Sequence, residues 1–344
     1  MTINIALLGF GTVASGIPFL LQENGEKITS EAGTEIQIAK VLVRDDAEKD
    51  ALLAKGHDFN FVTDISAILN DDTVDIVIEL MGRIEPAKTF ITQALQAKKH
   101  VVTANKDLLA VHGTDLLKGA KDNGVVLYYE AAVAGGIPIL RTLANSYTAD
   151  KITKILGVVN GTSNFMMTKM VDEGWTYDEA LAEASRLGYA ESDPTNDVDG
   201  IDAAYKMVIL SQFAFGMTIK FEDVRHEGIR HITPEDVKLA QKLGFVIKLV
   251  GEIVERPSGI YAEVVPTFLP KNHQLATVNG VMAAVSADSI GTNVAMFSGP
   301  GACQQPTVTS VVSHVLDLAN GINQGDVLPA FTTFTRKTVH ATTQ

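Results

Sequence analysis

The sequence predicts an α/β protein in two parts: a doubly wound half with a parallel sheet, then an α+β half with a mixed sheet. Three observations carry this reading. Strand-like apolar runs alternate with helical periodicity through residues 1–133. A glycine-rich turn follows the first of those runs. Beyond residue 244, strand runs succeed one another without helices between them. At 344 residues the chain is long for a single core. Domains are expected at 1–133 and 134–308, with 309–344 returning to the first.

The composition, 46% hydrophobic and 20% charged, is that of a globular chain. A net charge of -13 argues against nucleic acid or an anionic membrane as partner, though a local pocket can still hold a phosphate. Cys303 is the single cysteine, so no intrachain disulfide forms, which fits a reducing, cytoplasmic setting. No apolar run reaches the ~18 residues of a membrane span. No signal-peptide pattern precedes the first strand run.

In order, INIALLG, IQIAKVLV (36–43), VDIVIELMG (74–82), HVVTANK (100–106) and VVLYYEAAV (125–133) read as strands. PAKTFITQALQAKK (86–99) and GTDLLKGAKDNG (113–124) read as helices, the second stopped by Asn123-Gly124. KITKILGVVNGTSNF reads as a strand and then a polar turn. TYDEALAEASRLG (176–188) carries a capping box at Thr176 and Glu179. IDAAYKMVILSQFAFG (201–216) is an apolar helix, and TPEDVKLAQKLG (233–244) starts on Thr233-Pro234. FVIKLVGEIVE, IYAEVVPTFL and GVMAAVSADS follow as strands, and TSVVSHVLDLANGI (309–322) as a closing helix.

GFGTVASG (9–16) has the spacing Gly9-x-Gly11-x-x-Ala14 between a strand and a helix, the Rossmann dinucleotide fingerprint. Gly9 permits the turn, Gly11 admits a pyrophosphate, and the small Ala14 allows close packing. Phe10, Thr12 and Val13 complete the cofactor loop, while Pro18 is a blemish near the end of the first helical turn, where a missing N–H is barely tolerated. The second strand ends in Arg44-Asp45. An acid here holds an adenosine ribose and an arginine accommodates a 2'-phosphate. Arg44 points to NADP, with NAD and a plain surface arginine left open.

Lys106 lies just past a buried strand, at the edge where open α/β sheets bind ligands. Elsewhere a snorkelling surface lysine would be the default. Lys206 follows Asp202 by four residues on an apolar helix, so the two share a face. An exposed pair of this kind contributes only ~0.3–0.5 kcal/mol. On a buried helix, a charge needs a partner or a function. The acid-rich segment ESDPTNDVDGID before it resembles a calcium loop, but that register puts Lys206 where the final glutamate must stand. HEGIRH (226–231) misses the zinc spacing by one residue.

The segment from Ala184 to Lys206, with Gly188, Asp193-Pro194, Asp197, Gly200 and Asp202 in register, closely resembles the signature of homoserine dehydrogenases. GFGTVASG, VVTANK, EAAVAGGIPI (130–139), VNGTSNF (159–165) and GPGACQQPT (299–307) extend the resemblance along the chain. Two features depart from the pattern. Cys303 stands where a glycine is usual, and the sequence, ending at Gln344, contains no ACT-type regulatory domain or fused aspartate kinase. The corresponding threonine inhibition is therefore not expected.

The resemblance implies reversible NAD(P)-dependent reduction of L-aspartate 4-semialdehyde to L-homoserine, a step toward threonine, methionine and isoleucine. It implies Lys206 as proton donor, Asp202 as its orienting partner and a substrate contact, and Glu191 and Asp197 as substrate ligands. Lys106 is implied between nicotinamide and substrate, and Gly301 beside the cofactor. Glu130 with the carbonyls of Val133, Gly135 and Ile137 resembles the family's monovalent cation site, for sodium. A homodimer or dimer of dimers through the second domain is also implied. Two alternatives compete with this reading. A cysteine-acylating semialdehyde dehydrogenase would need Cys303 activated, with no histidine near it in sequence. A nicotinamide sensor without turnover would have no use for a proton donor.

Overall fold

Six parallel strands make the first sheet of the computed structural model, which describes residues 2–327 and 331. They are β1 (Thr2–Leu8), β2 (Glu35–Leu42), β3 (Phe61–Val62), β4 (Ile76–Glu79), β5 (His100–Thr103) and β6 (Leu127–Tyr128). Their order, β3-β2-β1-β4-β5-β6, is that of a dinucleotide-binding sheet. Ile5 pairs with Ile76 and Val77 with Val101, all fully buried, because helices cover both faces. This sheet belongs to a compact unit formed by Met1–Gly136 and Cys303–Phe331. The closing helix is longer than its apolar run suggests, Gln304–Gln324. Its Val308, Val311, Val315 and Leu318 join Ile5 and Leu7 in one core. Each such side chain contributes about 1.5–3 kcal/mol by leaving water. Residues 328–330 and 332–344 of the segment expected to return here lie outside the described residues.

Three details differ from the sequence reading. The run at 125–133 yields only the short β6, then a 3-10 turn, Glu130–Ala132. The two-residue β3 has too little apolar sequence to signal itself. Pro18 is no blemish. The helix after the glycine loop is Gly16–Glu23, so Pro18 lies in its first turn, where an N–H has no intrahelical acceptor. The approach is closed by Gly16 N–H to Val13 O and Ile17 N–H to Ala14 O.

The second unit contains Ile137–Ala302. Its sheet runs β12-β11-β7-β9-β10-β8, from β7 (Ile152–Val158), β8 (Arg225–His226), β9 (Phe245–Arg256), β10 (Gly259–Pro270), β11 (Met282–Ser289) and β12 (Asn293–Pro300). Every neighbour is antiparallel except β8, which is parallel to β10, so the sheet is mixed as expected. Helices Tyr177–Arg186 and Pro234–Lys242 begin on complete capping boxes at Thr176 and Thr233. The helix Ile201–Phe215 is bounded by left-handed glycines, Gly200 and Gly216. The polar turn expected after β7 is the start of a further helix, Gly161–Glu173, capped by Asn160. HEGIRH is not helical at its histidines; a Cβ on Gly228 would lie 2.1 Å from the Val198 carbonyl oxygen, so the segment serves packing. No described helix is long and apolar enough to cross a membrane.

Candidate active site

The glycine loop of the first unit has the shape its spacing implies. Gly9 takes φ +87°, and a Cβ there would meet Met81 Cγ at 2.8 Å. At Gly11 a Cβ would meet nothing within 4 Å, which leaves the backbone open to a pyrophosphate. Ala14 is fully buried. Phe10 turns inward, its ring packed 5.0 Å from His57 and 5.4 Å from Phe59, so only its backbone faces the loop surface. Thr12 is exposed, and its carbonyl accepts from Gln304 at 2.5 Å and from the Ser15 hydroxyl at 3.0 Å. Val13 packs on the core. Arg44 is exposed and donates to Asp45 at 2.9 Å. Asp45 in turn accepts the Glu48 N–H at 2.8 Å as a helix cap, and the guanidinium beside it holds its carboxyl below the usual range.

Lys106 opens the helix Lys106–Asn123 at the C-terminal edge of β5, 3.4 Å from Asp107. Asn105 caps that helix by accepting the Leu108 N–H at 3.1 Å. Below it lies Glu79, unremarked in the sequence reading although it is the one acid in the strand run IVIE. Glu79 is fully buried and accepts from the Thr103 hydroxyl at 2.6 Å and the N–H groups of Met81 and Gly82 at 2.8 and 3.0 Å. Thr103 Oγ1 accepts the Asn105 N–H at 3.1 Å, so the carboxyl braces the turn that presents Lys106. Burial pushes the Glu79 carboxyl up despite these donors.

Glu130 is buried, and its N–H donates to His314 Nε2 at 3.1 Å. Ala134 and Gly135 both take positive φ, and the Gly135 carbonyl accepts from the Ser310 hydroxyl at 2.7 Å. Val133 is fully buried; the Ile137 carbonyl accepts the Ile139 N–H at 2.8 Å. Carboxylate and carbonyl oxygens of this kind suit a hard monovalent cation.

In the second unit, Lys206 is buried and donates to Asp202 Oδ2 and to the Val159 carbonyl, each at 2.6 Å. Asp202 is also buried. Asn160, which no single motif singles out, joins the acids: its amide donates to Asp202 Oδ2 at 2.9 Å and Asp197 Oδ1 at 2.7 Å. Its own oxygen accepts the Ser163 N–H at 2.8 Å. An asparagine that caps a helix after a buried strand was the available signal. Glu191 is exposed and has no hydrogen-bond partner among the described residues. Asp193 shapes the loop by accepting the Thr195 N–H, and Asp199 pairs with Arg230 at 2.5 Å. Gly301 is buried in this unit, where a Cβ would lie 2.3 Å from Ala283 Cβ.

Comparison with known proteins bears on this constellation. The homoserine dehydrogenase family model matches residues 138–316, and the model of the homoserine dehydrogenase NAD-binding domain matches 9–130. A homoserine dehydrogenase of Lactococcus lactis is 57% identical over 98% of this chain and 79% of its own length. The chain belongs to the homoserine dehydrogenase family. A Bacillus subtilis homoserine dehydrogenase is 45% identical over 94% of the chain and 74% of its own length. The crystal structure of a Thiobacillus denitrificans homoserine dehydrogenase superposes with a TM-score of 0.92 at 41% identity, covering 96% of this chain and 77% of that one. A hyperthermophilic archaeal homoserine dehydrogenase in complex with NADPH superposes at 0.77 with 27% identity, over 92% of this chain and 98% of that one. As a homoserine dehydrogenase family member the chain is an NAD(P)-dependent oxidoreductase acting on a CH–OH group, the reaction interconverting L-aspartate 4-semialdehyde and L-homoserine.

Proposed function

We propose that Lys206 is the proton donor of this reduction, and the count of its hydrogens carries the reading. Two of the three ammonium hydrogens are spent on Asp202 and the Val159 carbonyl. The third has no acceptor among the described residues, so it is available to a substrate oxygen. A bound nicotinamide supplies the hydride. As negative charge grows on the aldehyde oxygen, Lys206 stabilises it and delivers its proton. Asp202 holds the ammonium in place and, with Asp197 and the exposed Glu191, binds the substrate amino group. Lys106 contacts cofactor and substrate.

The cofactor lies on Gly9, Phe10, Gly11, Thr12 and Val13 through their backbone, with Gly301 and Lys106 as further contacts. NADP is the preferred form: Asp45 is engaged in a cap, which leaves Arg44 to meet a 2'-phosphate. The relative bound to NADPH supports the same choice. Glu130 and the carbonyls of Val133, Gly135 and Ile137 would hold a sodium ion. The assembly is a homodimer or dimer of dimers, in the cytoplasm.

One kinetic comparison tests this: wild type, Lys206→Ala and Arg44→Ala, with homoserine and each oxidised cofactor. Lys206→Ala should lose about 10²–10⁴ in kcat while still binding NADP+. Turnover near the wild-type level would remove Lys206 from its role. Arg44→Ala should weaken NADP+ by about tenfold and leave NAD+ unchanged. Equal losses for both cofactors would overturn the assignment to the 2'-phosphate.

A further inference from the structure

Lys248 on β9 is a second buried lysine of the second unit, 2% exposed. Unlike Lys206, all three of its ammonium hydrogens are committed. They go to the Val278 carbonyl at 2.6 Å, Asn279 Oδ1 at 2.8 Å and Asn164 Oδ1 at 2.9 Å. None of the three acceptors is a carboxylate. Burial holds the ammonium down to about 8, so at neutral pH the charge works against folding rather than for it. An apolar side chain of similar length would avoid that penalty, which points to a service other than stability.

The contacts show what is served. Lys248 fixes which way round the Asn164 amide stands, because Asn164 Oδ1 faces the ammonium. Asn164 Nδ2 then donates to the carbonyls of Val278 and Met282, each at 3.0 Å. The 278–282 turn is thereby pinned along the start of the helix Gly161–Glu173, where a Cβ on Gly161 would lie 3.1 Å from the Val281 carbonyl oxygen. One helical turn before Asn164 is Asn160, whose backbone carbonyl accepts the Asn164 N–H at 3.2 Å. Asn160 holds Asp202, and Asp202 holds Lys206.

We propose that Lys248 is a positioning residue of the reduction: through Asn164 it sets the first turn of the Gly161–Glu173 helix, and so the Asn160 amide that aligns Asp202 and Lys206. The proposal rests on Lys206 being the donor. It makes no use of Lys248 touching the substrate, since the ammonium has no hydrogen left to give.

The test compares wild type with Lys248→Met and Asn279→Ala, the second removing a single acceptor from the ammonium. For each, kcat on homoserine and the Kd and stoichiometry of NADP+ are measured, with folding checked by circular dichroism. Small displacements of a catalytic group are costly, so Lys248→Met should lower kcat by about tenfold or more. NADP+ should bind at wild-type stoichiometry and affinity, because its loop lies in the other unit. A mere loss of folded protein would lower binding stoichiometry and kcat together. Asn279→Ala should lower kcat by about two- to fivefold in the same direction. A folded Lys248→Met with wild-type kcat overturns the proposal. If that variant does not fold, an unchanged kcat in Asn279→Ala overturns it instead. Absence of turnover in the wild type would instead sink the reading of Lys206 on which the proposal stands.

Discussion

Asn160 Nδ2 stands 2.9 Å from Asp202 Oδ2, the same oxygen that Lys206 contacts at 2.6 Å. Two donors of different charge therefore converge on one carboxylate oxygen. Asn160 also caps a helix, and the two duties can be separated. Serine caps as well as asparagine but has no amide to donate. Asn160→Ser should keep the melting temperature close to wild type and lower kcat by about tenfold, as Asp202 loses its second anchor. Asn160→Ala should lose the same turnover and a further ~1 kcal/mol of stability with the cap. Thermal melts beside steady-state kinetics distinguish the two, and full turnover in the serine variant would deny the amide its part.

The two glycines of the cofactor loop should fail in different ways. Gly9 has φ +87° and Met81 against it, so Gly9→Ala should destabilise the protein by at least ~1–2 kcal/mol. Gly11 has no neighbour within 4 Å, so Gly11→Ala should fold normally and lose cofactor affinity. Denaturant unfolding without cofactor, paired with a cofactor titration, reads both effects. A Gly11→Ala protein that binds NADP+ as wild type does would show that nothing approaches the loop there.

What the sequence made legible was local. GFGTVASG and the Asp202–Lys206 pair carry their geometry within one turn, so spacing alone places them. The features that escaped join residues far apart: Asn160 and Asp202 are separated by 42 positions and Glu130 and His314 by 184. NGTSNF resembled a solvated turn because its residues are polar, yet Asn160, Ser163 and Asn164 are nearly fully buried, Asn160 and Asn164 with partners supplied by other elements and Ser163 bonded to Asn160. Glu79 and Lys248 were hidden by the opposite effect, since each is a lone charge inside an apolar strand run.

Cys303 stands where the resemblance leads one to expect glycine, and the backbone there has φ +122°. A side chain in that region is strained and glycine is not. The thiol is exposed, so no packing compensates. Cys303→Gly should therefore raise stability by about 1 kcal/mol with turnover unchanged. Chemical denaturation under reducing conditions would measure the gain. A loss of stability would show that the cysteine side chain holds the start of the Gln304–Gln324 helix in a way its exposure conceals.

Glu79 makes stability depend on pH in a direction opposite to that of most carboxylates. Burial raises its carboxyl above the ordinary 4.5, and the donors from Thr103, Gly82 and Met81 offset this only in part. The folded state therefore holds the proton longer than the unfolded chain does. Its contribution is fully present below the unfolded value and is lost as pH rises through the folded one. Glu79→Gln keeps an oxygen for the Met81 and Gly82 N–H groups and cannot titrate. Relative to wild type, this variant should gain stability as pH is raised from about 5 toward 8. Urea unfolding of both proteins across that range gives the difference directly. A difference that stays flat would mean that Glu79 ionises in the fold as readily as in the unfolded chain, and that its hydrogen-bond donors balance its burial.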